Sequence, residues 1–109
     1  MHFQAEVVDV LLDVNHGEGW ATFRWKDPLY GTECLKINGD DGHCSRAMPW
    51  YSGTGVEVVR FERTAISLRF PPEVAESLRF STEVQISFAL NDAEFEQLKL
   101  FVDYLNGEV

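Results

Sequence analysis

Strict alternation of apolar and polar side chains, in several short separate runs, most limits what this chain can become. In the run from Glu83 to Leu90, Val84, Ile86, Phe88 and Leu90 alternate with Glu83, Gln85, Ser87 and Ala89. A period of two is the mark of a strand, because successive side chains point to opposite faces. The same rhythm runs from Ala5 to Val14, where Val8, Val10, Leu12 and Val14 share one face and Asp9 and Asp13 the other. It recurs from Trp20 to Trp25 through Ala21, Phe23 and Trp25, and from Ala65 to Phe70 through Ile66, Leu68 and Phe70. Cys34 to Ile37 reads as a short strand and Val56 to Glu62 as another. Asn15-His16-Gly17-Glu18-Gly19 reads as the turn of a hairpin, since its glycines permit positive φ. Asn38-Gly39-Asp40-Asp41-Gly42 reads as a second turn. His43 to Gly55 reads as a loop with room for a strand at its start.

Two segments change period. Pro71-Pro72-Glu73 opens a short helix near 72–79, because proline suits a first helical turn and glutamate there complements the helix dipole. Asn91 or Asp92 begins a second helix near 92–105, with Glu94 reinforcing the start. Phe95, Leu98, Val102 and Leu105 form its apolar stripe, and Asn106-Gly107 ends it. These elements predict a single α+β domain over residues 1–109. It is a mostly antiparallel sheet of about six strands, with both helices packed on one face to bury its apolar side.

The 18 acidic against 9 basic residues leave a net charge of −9. That charge repels phosphate backbones, so nucleic acid is excluded as a partner. No run approaches the ~18 apolar residues of a membrane span. The start, Met1 to Glu6, lacks the basic and apolar regions of a signal peptide, so the expected location is cytoplasmic. There Cys34 and Cys44 are expected as thiols; a bridge between them is compatible with the sequence but not required by it.

Catalytic and cofactor patterns fail on spacing. His2, His16, Cys34, His43 and Cys44 contain neither Cys-x-x-Cys nor His-x-x-x-His, so no metal is expected. His43-Cys44 is a formal nucleophile pair, but neighbours along a strand face opposite ways. Asp40-Asp41 lacks the ligand spacing of a calcium loop and reads first as turn residues bonding their own backbone. Gly53-Thr54-Gly55 precedes a strand, without the helix N-terminus of a phosphate cradle. The expectation is a protein that is not an enzyme, holds no cofactor and works by binding. Met48-Pro49-Trp50-Tyr51 carries residue types enriched at interfaces. With the turn acids Asp40 and Asp41, the side chains Met48, Trp50 and Tyr51 are the candidate partner-binding set. Trp20, Trp25 and the phenylalanines read as core.

The second half carries a resemblance. Gly55-Val56, the strand Ile66-Ser67-Leu68-Arg69-Phe70, the positions Pro72, Ala75 and Leu78, the strand Val84-Gln85-Ile86-Ser87-Phe88, and Asn91-Asp92 with Phe95, Leu98 and Leu105 follow one pattern. Together they resemble the Immunity protein 10 family of bacterial polymorphic-toxin systems. The likeness spans Gly55 to Leu105. Cys34-Leu35-Lys36-Ile37 keeps the apolar rhythm of that family's middle strand, and Asn38-Gly39 depart from it. The resemblance implies an inhibitor that neutralises a cognate toxin by occlusion, and a basic toxin suits the acidic charge. Two other readings stand beside it. One is a structural module, a homodimer formed through an exposed sheet edge. The other is a small-ligand cup lined by Trp20, Trp25, Trp50 and Tyr51.

Overall fold

A computed structural model describes residues 1–28, 31–46 and 51–107. The strands are β1 (His2–Gln4), β2 (Val7–Asp13), β3 (Glu18–Asp27), β4 (Gly31–Asn38), β5 (His43–Arg46), β6 (Ser52–Thr54), β7 (Glu57–Phe61), β8 (Ala65–Arg69) and β9 (Glu83–Ser87). The helices are α1 (Pro72–Leu78) and α2 (Asp92–Leu105), and a 3-10 turn, Val14–His16, links β2 to β3. The α+β class holds. The single sheet of about six strands is corrected: among the described residues there are nine strands in two sheets.

The five-stranded sheet is a meander in the order β2-β3-β4-β5-β6, antiparallel throughout. The four-stranded sheet has the order β1-β9-β8-β7, and β1 runs parallel to β9. The run from Ala5 to Val14 therefore does not form one strand. The Ala5 amide donates to the Ser87 carbonyl (2.8 Å), and the next amide, Glu6, donates to the Arg24 carbonyl (2.7 Å). Between these two residues the chain leaves one sheet and enters the other. It crosses back at Gly55, which has φ +114° and lies against Pro71, where a Cβ would meet the ring at 3.1 Å. Only glycine takes that conformation without strain.

The inner faces of both sheets feed one core. Ala21, Phe23, Leu35, Ile37 and Cys44 come from the five-stranded sheet, and Ile66, Leu68, Val84 and Ile86 from the four-stranded one. Phe3 on β1 stacks on Trp25 of β3 with centroids 4.3 Å apart, joining the sheets beside the crossing. The helices close the open sides. α1 presses Val74 on β6, where a Cβ at Gly53 would lie 2.7 Å from a Val74 methyl. α2 begins with a complete capping box: Asn91 accepts from the Glu94 amide and Glu94 accepts from the Asn91 amide. Asn91 rather than Asp92 is thus the cap. Phe95 stacks on Phe61 of β7 (5.3 Å), fixing the start of the helix to the four-stranded sheet. Its far end lies on the five-stranded sheet, where the ring edges of Phe101 and Tyr104 sit over Gly39.

Phe101 is the helix residue absent from the expected stripe, and it is 1% exposed. Phe101→Ala is expected to destabilise the fold by about 3–5 kcal/mol, from lost transfer energy plus the cavity left behind. A urea melt of the variant against the native chain measures it.

Candidate functional site

Asp13, Glu18, Asp40 and Asp41 lie where two turns meet. The Gly39 amide donates to the Gly19 carbonyl (2.8 Å), holding the β4–β5 turn against the start of β3. In that turn the Asp40 amide donates to Asn38 Oδ1 (3.0 Å) and the His43 amide to Asp41 Oδ1 (2.9 Å). The turn residues therefore do bond their own backbone. Both aspartates remain exposed. At the adjoining hairpin end, Asp13 lies directly opposite Glu18 in the β2–β3 register. Like charges facing across a strand pair are destabilising. His16 Nδ1 lies 2.6 Å from Asp13 Oδ2 on the other side. The result is a rim carrying Asp13, Glu18, Asp40 and Asp41, built on two turns that are locked together.

The Tyr104 hydroxyl, from the last turn of α2, donates to Asp40. This bond raises the tyrosine's pKa above its ordinary value, with partial desolvation and the Asp40 charge adding to it. Because the folded-state value is raised, any stability from the bond is present below the ordinary tyrosine range and is lost as pH rises through the folded value. Tyrosinate absorbance during an alkaline titration is expected to show one late tyrosine. In Asp40→Asn that tyrosine should return to the ordinary range near pH 10.

The other aromatic candidates separate from this rim. Met48 and Trp50 lie outside the described residues. Tyr51 precedes β6 at the opposite end of the β5–β6 hairpin, level with Arg46 and so roughly 10 Å along the strand from His43, the residue that opens β5 after the Asp40–Asp41 turn, at about 3.3 Å per residue. Tyr51 is half-buried, its carbonyl accepts from the Arg46 amide (3.0 Å), and the Arg79 guanidinium lies 4.8 Å over its ring. The proposed partner residues that are described thus do not form one patch: Asp40 and Asp41 sit together, and Tyr51 sits apart. Trp25 is core, 3% exposed. Trp20 is not: it projects from the outer face of β3 under the Lys36 ammonium, 5.2 Å from its centroid. Trp20 and Trp25 are five residues apart on one strand and so face opposite sides. A single cup lined by both does not form.

The cysteines are also parted by the pleat. Cys44 pairs with Ile37 on the inner face, and Cys34 pairs with Arg24 on the outer face. Both are free thiols. Burial, then the nearby Asp41 charge, pushes the Cys44 thiol up to about 12. Such a thiol holds almost no thiolate near neutrality and is inert. A thiol-reactive chromogenic reagent at pH 8 is expected to modify Cys34 alone in the folded protein, and both cysteines only after unfolding. Among the described residues no three His, Cys, Asp or Glu side chains converge as metal ligands. No described helix is long and apolar enough to cross a membrane.

One charged pair escaped sequence reasoning. Arg46 and Glu33, with side chains 12% and 13% exposed, approach to 3.5 Å. Arg46 also donates to the Leu78 carbonyl (3.0 Å) and lies 4.6 Å over Phe80, tying β5 to the end of α1. Its role is structural, since a pair this buried is costly to break by removing one member. The β4–β5 register, which sets Arg46 opposite Leu35 on the inner face, is the only signal of it. No protein-family model, curated protein or solved structure matches the chain.

Proposed function

We propose that this chain is a non-catalytic protein-binding inhibitor of immunity type, which neutralises a basic cognate toxin in the cytoplasm of the producing cell by covering the toxin's active surface or one beside it. The observation that carries this reading is the carboxylate rim, above all Asp13 directly opposite Glu18. Cationic side chains of a partner would be attracted to this run of carboxylates. The net charge of −9 supports it, because a field of that sign attracts a basic partner and speeds encounter. The likeness of Gly55 to Leu105 to the Immunity protein 10 pattern supports it independently. Asp40 and Asp41 are assigned to the contact, with Asp40 oriented by Tyr104. Tyr51 would belong to a second contact, which a large toxin surface would reach along β5; Met48 and Trp50 are assigned to binding on residue type alone.

Co-expression with the product of the adjacent upstream gene is the direct test. The toxin's host should be rescued, and the two proteins should co-purify. In that complex, combined Glu18→Lys and Asp41→Lys should lower the association rate about tenfold at low ionic strength, and by less in high salt. If the neighbouring gene encodes no toxin-like protein and capture from the native cell recovers no partner, the reading is lost. A complex whose association rate ignores both the reversals and the salt would remove the rim from the interface.

A further inference from the structure

The two sheets expose four edge strands, and three are protected. β1 and β6 have three residues each. β7 is interrupted by a bulge between Val58 and Arg60 and carries the Arg60–Glu62 ion pair. Short length, bulges and charge are the usual guards against edge pairing. β2 is neither short nor bulged, although it carries Asp13 and the Asp9 that pairs with Arg24. Its seven residues keep an unbroken register with β3 and contain no proline. Its outer face exposes Val7 (44%) and Leu11 (42%), and Val14 (48%) follows at its end. Of the described residues, the remaining exposed large apolar side chains lie off this edge: Met1 and Val59 line a groove on the four-stranded sheet, and Leu100 stands on α2. On the inner face of β2, Val8, Val10 and Leu12 are only half-buried. The outer face of this edge therefore ends in exposed apolar side chains, while the inner one packs against the core and α2.

We propose that β2 pairs antiparallel with β2 of a second copy of this chain, about a two-fold axis at Val10, joining two five-stranded sheets into one of ten strands. The charges on the strand choose the axis. With the axis at Val10, Asp9 faces Leu11 of the second copy and Asp13 faces Val7. An axis at Asp9 would set that carboxylate against its own copy, and an axis at Leu11 would set Asp9 against Asp13. Like charges directly opposite are disfavoured, so the Val10 axis alone of these three aligns the strand without conflict. Arg24 Nη1 holds Asp9 Oδ2 at 2.8 Å, further muting the carboxylate nearest the axis. The pairing keeps Val8, Val10 and Leu12 on one continuous inner face and Val7 and Leu11 on one outer face. It does not depend on the inhibitor reading, since it concerns this chain with itself.

Sedimentation equilibrium of the purified full chain tests it. The expected result is a reversible monomer–dimer equilibrium, with dissociation on the order of 10–100 µM for so small an interface. Dimerisation should tighten as salt rises, because each copy carries −9 and screening weakens their repulsion. Leu11 is exposed, so both substitutions there should leave the far-ultraviolet circular dichroism unchanged. Leu11→Asp places a carboxylate opposite Asp9 of the second copy and should weaken the dimer at least about tenfold. Leu11→Lys places a cation opposite that same Asp9 and should leave the dimer as strong or stronger. Val59→Lys, on the other sheet, should change nothing. A monomer at every concentration and salt overturns the proposal. So does a dimer that ignores Leu11→Asp, one that Leu11→Lys weakens equally, or one that Val59→Lys abolishes.

Discussion

Two consecutive amides hold the architecture together. Ala5 gives its hydrogen bond to Ser87 in one sheet, and Glu6 gives its own to Arg24 in the other. Everything else in the arrangement of the layers follows from that division. Phe3 must stay on the near side of the crossing, where it stacks on Trp25. β2 must start afresh beside β3, which leaves its other side as an edge. The core between the sheets then has open flanks, and α1 and α2 close them with Val74, Leu78, Leu98, Phe101 and Val102.

The parts of this fold legible in the sequence are those whose signal is local. The alternation of Val84, Ile86 and Phe88, the capping residues around Asn91 and the proline-led start of α1 each specify an element through neighbours a few residues away. Partition between sheets is not local. The run from Ala5 to Val14 carries one mark of the crossing, a shift of parity: Ala5 is out of step with Val8, Val10, Leu12 and Val14, and the polar Glu6 stands in step with them, so a single strand read through the run passes over the change. β1 and β6, at three residues each, are too short to show a period. Phe101 falls three residues after Leu98 and beside Val102; a stripe drawn through Leu98 and Val102 passes over it, although the helix buries all three. Trp20 failed for a different reason. Its type suggested core, but its register with Asn38 sets it on the outward face, opposite to Ala21, Phe23 and Trp25.

The same distinction governs the candidate site. Asp40 and Asp41 were legible because adjacent acids between glycines make an exposed turn. Their company was not. Glu18 and Asp13 join them because Gly39 bonds to Gly19, and Tyr104 joins because α2 ends over that turn. A surface formed by turns from separate hairpins and a helix end leaves no spacing in the sequence. The acidic rim and the apolar β2 edge also differ in what they offer. One presents charge on rigid turns and draws a partner of opposite sign. The other presents unsatisfied backbone and aliphatic side chains, and accepts a strand.

The parallel pairing of β1 with β9 sets an order of assembly. His2 lies against Gln85, so β1 waits for a strand made much later than itself. The meander from β2 to β6 pairs only neighbours and can close while later segments are still being synthesised. Sequence-distant pairings are slow to form because a long loop must be closed first. On the ribosome, β1 would therefore remain unpaired until β9 emerges, and the four-stranded sheet would be completed as α2 docks. A bulky fusion placed directly before Met1 would burden that last step, while leaving the meander free to fold.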